Sequence, residues 1–247
     1  MAADFDPGGS MQLTLSIALL VAACGSSDAP RHTPTALEGG SASGGGASSC
    51  SAAIAQTLMP IDKVSRGIVS VVPSEAGAER DLFIGAYAGG PSAAATNPYV
   101  YVNLASATRV DVTDVVARTS TDWDLAFKRY IIFTNGGDGG VGQGAATHVA
   151  TPFDSVVAAD ATGMVTESFF DANCNGKTDQ LGGLVTTFSD WYSYDQATNM
   201  LTPQSLTYIV RGGTGQLYKV AIQTYYGSVN GGTGPFGGDY VIRVGAL

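Results

Sequence analysis

The sequence has few of the residues on which most catalytic and nucleic-acid-binding sites depend. Its 247 residues include two histidines, three cysteines and 12 lysines and arginines, against 21 aspartates and glutamates. A net charge of −9 with no basic run makes nucleic acid an unexpected partner. His32 lies in a stretch rich in small residues, so a Ser-His-Asp hydrolase would depend on His148 alone, and no Gly-x-Ser-x-Gly motif accompanies it. We interpret His148 as an exposed or turn histidine.

The N-terminal apolar run is too short to span a bilayer as a helix. Leu13–Ala23 instead has the length of the apolar region of a signal peptide. The run ends at Val21–Cys24, which looks like a bacterial lipobox with Cys24 as the acylated residue. No lysine or arginine precedes the run, so an uncleaved apolar tail is the alternative. We predict a lipoprotein signal peptide over residues 1–24 and membrane attachment by the lipid anchor only.

A flexible tether and one β domain are expected after the anchor. Residues 25–52 are rich in Gly, Ser, Ala and Pro and have few side chains that could form a core. Residues 53–247 form the predicted domain. If Cys24 carries lipid, Cys50 and Cys174 remain as a candidate disulfide in an oxidising compartment.

Short strands and turn residues dominate the predicted domain, whereas helical periodicity is scarce. Trp123–Phe133 is predicted as one apolar strand, and the C-terminal third as an antiparallel meander. Residues 51–58 and parts of 185–200 leave room for a short helix. The glycine-rich segment Gly137–Gly142 formally matches a dinucleotide fingerprint, but we interpret it as a long hairpin loop because no helix is expected to follow it. These patterns predict an all-β fold of antiparallel sheets with few short helices.

One loop has the spacing of a calcium site. Asp171, Asn173, Asn175 and Asp179 place oxygen ligands at alternate positions around Gly176, as in the first half of a calcium-binding loop. A bidentate glutamate is missing at the twelfth position. The alternative is an Asn/Gly turn whose side chains bond to their own backbone.

The most specific pattern in the chain surrounds a tryptophan between two aspartates. Asp122–Tyr130, with Thr134–Asn135 and the glycine-rich loop behind it, resembles the central signature of the HmuY family of haem-binding surface lipoproteins. Further pieces follow the family's order within about residues 98–247: Tyr101–Leu104, Val110–Val112, Trp191, Tyr208–Gly212, Tyr218–Val220 and Thr224–Tyr226. The resemblance implies an antiparallel β fold with haem held in a cleft by loops and strand ends.

The residues expected at the haem iron depart from that family. Its best-known pattern uses two axial histidines, whereas this chain has Lys177 and Gln196 at the corresponding positions. Met200, and more distantly Met164, are candidate thioether ligands, with core packing as the alternative. Trp191 and Tyr194 are candidate walls for a flat ligand, although such aromatics also serve as core residues.

The function that the resemblance implies is non-enzymatic. We predict an outer-membrane lipoprotein, on the surface or periplasmic face, that binds haem or a related tetrapyrrole and passes it to an outer-membrane receptor for uptake. The alternative is a binding or structural lipoprotein on the same scaffold that has lost haem ligation and carries the calcium site.

Overall fold

Short antiparallel strands make up most of the regular structure. The computed structural model describes Cys50, residues 58–73 and residues 79–247, so Cys24 and most of the predicted signal peptide and tether lie outside the described residues. The strands are β1 (Val69–Val72), β2 (Arg80–Gly85), β3 (Val100–Asn103), β4 (Thr108–Val110), β5 (Leu125–Lys128), β6 (Ile131–Thr134), β7 (Ala145–Val149), β8 (Tyr192–Asp195), β9 (Met200–Pro203), β10 (Thr207–Arg211), β11 (Leu217–Thr224) and β12 (Asp239–Ala246).

Helical structure in this part of the chain is limited to single turns. The α-helix α1 spans Asp114–Ala117, and 3₁₀ turns occupy Ala94–Thr96, Phe153–Ser155, Ala158–Asp160 and Ser189–Trp191. Thr113 caps α1 by accepting a hydrogen bond from the Val116 amide. Within the described residues, no helix is long and apolar enough to cross a membrane.

Two antiparallel sheets pack against each other. The larger sheet has six strands in the order β1-β2-β12-β11-β10-β7, and the smaller has four in the order β4-β3-β5-β6. Strands β10, β11 and β12 pair in succession, which confirms the predicted C-terminal meander. The β8–β9 hairpin forms a separate two-stranded sheet.

Alternating side chains form the core between the sheets. Tyr240, Ile242 and Val244 of β12 share one buried face and join one hydrophobic cluster with Val102 of β3 and Phe127 of β5. A second cluster covers the other face of the smaller sheet and includes Trp123, Phe133 and Phe169. The all-β prediction is therefore confirmed.

The predicted single strand over Trp123–Phe133 is wrong in one respect. The segment forms β5 and β6, which pair as a hairpin through Lys128 and Ile131. The break lies at Arg129, whose φ of 55° takes the backbone into the left-handed region. Periodicity did not reveal this turn, because Arg129 and Tyr130 are not typical turn residues.

Two other local predictions are corrected by the strand pairing. The loop around Gly137–Gly142 is not a hairpin loop, since β6 belongs to the smaller sheet and β7 to the larger one. Glycine permits close backbone approach there, because a Cβ at Gly137 would collide with the Glu167 carbonyl oxygen. Within 185–200 the expected helix is reduced to the 3₁₀ turn Ser189–Trp191, followed directly by β8.

Candidate functional site

A half-open cavity of about 430 Å³ lies beside the β5–β6 turn. Its size falls within the range of small-molecule sites. Four segments distant in sequence line it: Leu58 and Met59; Pro91, Ala94, Ala95 and Tyr99; Lys128 to Ile131; and Leu181 to Gly183. The lining combines apolar and aromatic side chains with two cationic ones, which suits an amphipathic ligand.

Lys128 is the buried cationic group of this cavity. Its side chain leaves β5, and the residue is 8% exposed. The ammonium group donates a hydrogen bond to the Asn97 carbonyl oxygen at 3.2 Å and lies 4.0 Å from the centre of the Tyr99 ring. Burial lowers the pKa of Lys128, and the charge of Asp114 partly opposes this effect.

Hydrogen bonds from neighbouring elements hold the turn at Arg129 in place. The Arg129 amide donates to the Ala86 carbonyl at 2.8 Å, and the Tyr240 hydroxyl donates to the Arg129 carbonyl at 2.6 Å. The guanidinium donates to the Gly237 carbonyl at 3.3 Å. Met59, on the opposite segment, is also in the left-handed region with a φ of 41° and is 55% exposed. Strained backbone at two lining residues is typical of functional sites.

Tyr130 forms a braced wall of the cavity. Its hydroxyl donates to the Leu181 carbonyl at 3.3 Å, and the Trp191 indole donates to the Tyr130 carbonyl at 2.9 Å. The Tyr192 ring packs edge-on at 5.9 Å. Burial and the charge of Asp179 raise the pKa of Tyr130 to about 12, so the phenol is neutral near pH 7.

Asp114 fixes the segment that carries Met59. Its carboxylate accepts hydrogen bonds from the Ile61 amide at 3.1 Å, the Tyr99 amide at 2.9 Å and the Tyr101 hydroxyl at 3.0 Å. The Asp114 amide in turn donates to the Ile61 carbonyl at 3.1 Å. Burial raises the pKa of Asp114, and its hydrogen bonds oppose this effect. Oδ2 therefore holds Ile61 against α1, whereas Oδ1 holds Tyr99 and Tyr101.

The structure separates the haem-site residues that were predicted from sequence. Gln196 lies exposed in the turn between β8 and β9, and Met200 opens β9 with 43% exposure. Tyr194, in β8, donates its hydroxyl to the Asn199 side chain at 2.7 Å. Lys177 lies on another segment, where its ammonium donates to the Ser168 hydroxyl at 3.0 Å. None of these four residues lines the cavity.

Trp191 does not line the cavity but supports one of its walls. The residue is 1% exposed and packs against Tyr192, Tyr225 and Tyr240, which leaves little of its ring for a ligand. Its indole bond to the Tyr130 backbone supports the cavity wall instead.

The remaining histidine and methionine candidates lie outside the cavity. His148 is in β7, half-buried, with its ring 5.4 Å from that of Tyr208. It is therefore a strand residue, not a turn residue. Met164 is half-buried ahead of the short bridge that Val165 makes with Ala146.

The candidate calcium loop uses its carboxylates for local turn bonds. Asp171 accepts from the backbone amides of Asn173 at 2.8 Å and Asn175 at 2.9 Å, and from the Asn175 side chain. Asp179 accepts from the Leu181 and Gly183 amides and from the Tyr192 hydroxyl. No cluster of three or more His, Cys, Asp or Glu side chains suited to a metal occurs among the described residues. Calcium binding at this loop stays a prediction.

A disulfide joins Cys50 to Cys174, whose Cα atoms are 5.3 Å apart. Both residues belong to the cluster that covers the smaller sheet. The bond links the start of the described chain to the loop that precedes the cavity-lining residues 181–183.

The Asp-Trp-Asp segment stabilises the contact between the two sheets and does not line the cavity. Asp124 accepts hydrogen bonds from the Leu104 amide at 2.7 Å and the Gly213 amide at 2.9 Å, so it ties the end of β3 to the β10–β11 turn. The Trp123 indole donates to the Ala117 carbonyl at 2.8 Å. Asn135 donates to the Trp123 carbonyl at 2.9 Å and completes the junction.

The residues that line the cavity were not identified from sequence as a site. Lys128 and Arg129 stand out only as two adjacent cations inside an apolar run, and Met59 gives no signal at all. Their association depends on the pairing of β5 with β6 and on the Asp114 contacts, neither of which is encoded in local spacing.

An antiparallel β-sandwich with a half-open aromatic and basic cavity has the features of a ligand-binding protein. The family model described as "HmuY protein" matches residues 95–236, more than half of the chain, and the chain belongs to the HmuY family. No curated protein matches this chain.

The solved structures similar to the chain include three bacterial proteins. A candidate lipoprotein of Bacteroides fragilis is 18% identical, with a TM-score of 0.42 over 70% of this chain and 91% of that one. A candidate HmuY-like heme-binding protein of Bacteroides vulgatus is 17% identical, with a TM-score of 0.46 over 72% and 96%. The apo HmuY analog of Tannerella forsythia is 13% identical, with a TM-score of 0.44 over 74% and 97%.

Proposed function

We propose that the protein is a non-enzymatic lipoprotein that binds haem or a related tetrapyrrole for uptake. The observation that carries this proposal is membership of the HmuY family, whose model matches residues 95–236. Family members resemble each other in holding haem with loops and strand ends, and the cavity at the β5–β6 turn is bounded by such elements.

The cavity supports this ligand class by its chemistry. Haem is a flat apolar macrocycle with two carboxylate side chains. The aromatic and aliphatic lining, including Tyr99, Tyr130 and Ile131, suits the macrocycle, whereas Lys128 and Arg129 suit the carboxylates.

Met59 and Tyr130 are the lining residues that could bind iron. A methionine thioether and a tyrosine oxygen both occur as axial ligands of haem proteins. Met59 is exposed at the cavity. The sequence-based candidates Lys177, Gln196 and Met200 stay alternatives for ligation, since loops around an open site can close on a ligand.

Titration of the purified protein with haemin tests the proposal. We expect a saturable shift of the Soret band with one haemin per chain at micromolar protein. Met59→Ala and Met200→Ala, measured in both oxidation states, then distinguish a thioether from the cavity from one on the β8–β9 hairpin. No saturable shift in either oxidation state would contradict haem binding.

A second candidate function is a binding or structural lipoprotein that has lost haem. The exposure of Gln196 and the contact of Lys177 with Ser168 favour it, because these positions correspond to the histidines of the family's best-known site. It predicts no Soret shift and allows calcium at Asp171–Asp179. A rise in melting temperature on adding calcium chloride, absent in Asp171→Ala, would support that site.

Lipid attachment at Cys24 completes the proposal. We infer a bacterial outer-membrane lipoprotein that passes its ligand to a receptor in that membrane. Expression in a bacterial host with labelled palmitate is expected to label the wild type but not Cys24→Ala. Equal labelling of both would contradict anchoring through this cysteine.

A further inference from the structure

Two lysines of this protein occupy nearly the same environment. Lys128 and Lys219 are each 8% exposed. The Lys128 ammonium donates to the Asn97 carbonyl at 3.2 Å, and the Lys219 ammonium donates to the Phe153 carbonyl at 3.1 Å. Each also lies over an aromatic ring, at 4.0 Å from the Tyr99 centre and 4.5 Å from the Phe153 centre.

The two lysines differ in one partner. Lys219 forms a salt bridge with Glu79 at 3.0 Å, and Arg243 shares that carboxylate at 2.6 Å. Among the ion pairs of the described residues, none includes Lys128. Buried charges in proteins are normally paired, because an ammonium that loses water without gaining a counter-ion is destabilising.

Asp114, whose charge acts on Lys128, forms its hydrogen bonds with other residues. Asp114 accepts hydrogen bonds from Ile61, Tyr99 and Tyr101, which use both of its oxygens. Where Lys219 has Glu79, Lys128 has the cavity that it helps to line. The adjacent Arg129 lines the same cavity and adds a second cation to it.

We propose that the cavity is an anion-binding site in which Lys128 pairs with a carboxylate carried by a flat, apolar ligand. The ligand carboxylate takes the place that Glu79 occupies at Lys219, and the ring system lies against Tyr130 and the aliphatic lining. The identity of the ligand as haem rests on the proposed function, whereas the carboxylate position rests on the comparison of the two lysines.

Matched variants and ligands test the site. Haemin, haemin dimethyl ester and pyrenebutyrate are titrated into wild type, Lys128→Met and Lys219→Met, with binding followed by absorbance or fluorescence. Loss of a hydrogen-bonded ion pair weakens binding by about tenfold to a hundredfold. We expect this weakening for haemin in Lys128→Met and for the ester in wild type, and unchanged affinity for haemin in Lys219→Met.

The melting temperatures of the same variants provide a second test that needs no ligand. Lys128→Met removes an unpaired buried charge and should leave the melting temperature unchanged or raised, whereas Lys219→Met leaves Glu79 with one partner fewer and should lower it. A melting temperature of Lys128→Met at or above that of wild type also shows that this variant is folded when its ligand affinity is measured.

The outcomes separate this inference from the proposed function. Tight haemin binding that is equal in wild type and Lys128→Met overturns the inference and leaves haem binding intact. Binding of pyrenebutyrate that requires Lys128, without any binding of haemin, supports the anion site and overturns the choice of haem. Binding of neither ligand to wild type overturns both.

Discussion

Replacement of Asp124 tests whether the Asp-Trp-Asp segment stabilises the fold by joining the two sheets. Asp124→Ala leaves the buried amides of Leu104 and Gly213 without their acceptor. Each unsatisfied buried donor costs about 1–3 kcal/mol, or about 2–6 kcal/mol for both. Part of this cost is offset, because burial raises the pKa of Asp124 and its ionised form is itself disfavoured in the folded protein. We therefore expect a net loss of about 2–4 kcal/mol.

The assay is thermal unfolding under non-reducing conditions, with Asp122→Ala as the matched control. For a chain of this size, 1 kcal/mol corresponds to about 2–4 °C, so Asp124→Ala should lower the melting temperature by about 5–15 °C. Asp122 is exposed and accepts a hydrogen bond from the Ser120 hydroxyl, so its removal should change stability by less than about 1 kcal/mol. Equal effects of the two substitutions would refute this role, since of these two aspartates only Asp124 bonds to both sheets through its side chain.

Three further predictions follow from the same structure. Removal of the Cys50–Cys174 disulfide by a double alanine substitution should destabilise the protein by about 2–5 kcal/mol, and an unchanged denaturant midpoint would contradict this. Gly183→Ala places a Cβ 2.5 Å from the Tyr130 hydroxyl oxygen, so the substitution should lower the free energy of unfolding by about 1–3 kcal/mol and weaken haemin binding. Haemin affinity equal to that of wild type would contradict the role of Tyr130 as a wall of the cavity. Burial raises the pKa of Glu167 above its unfolded value, so its contribution to stability is greatest below the unfolded pKa and falls as pH rises toward the folded pKa. The free energy of unfolding of wild type minus that of Glu167→Gln should therefore increase from pH 7 to pH 4. A difference that does not change with pH would contradict the shift.

The strands could be predicted because their side chains alternate. Tyr240, Ile242 and Val244 show a period of two, and the structure buries all three on one face. The β5–β6 turn could not be predicted, because Arg129 and Tyr130 continue an apolar run and only tertiary hydrogen bonds hold Arg129 in the left-handed region.

The cavity was beyond local sequence reasoning for a different reason. It is assembled from Met59, Lys128 and Leu181, which are brought together by Asp114, the sheet pairing and the loop behind the disulfide. Nothing in the local sequence distinguishes Lys128 from Lys219, since the difference between them is the distant partner Glu79.

The sequence left two roles open for Trp191, a core residue and a wall for a flat ligand. The structure buries Trp191 in the core and leaves its bond to the Tyr130 backbone as its link to the cavity. Family membership thus specifies the scaffold, whereas the side chains at the β5–β6 turn determine what the site can bind.

A crystal structure of the protein with haemin tests the central claim most directly. We expect the macrocycle against Tyr130 and residues 181–183, with one carboxylate at hydrogen-bond distance, about 2.7–3.2 Å, from the Lys128 ammonium. Haemin bound instead between Lys177 and the Gln196–Met200 turn, with Lys128 still unpaired, would contradict it.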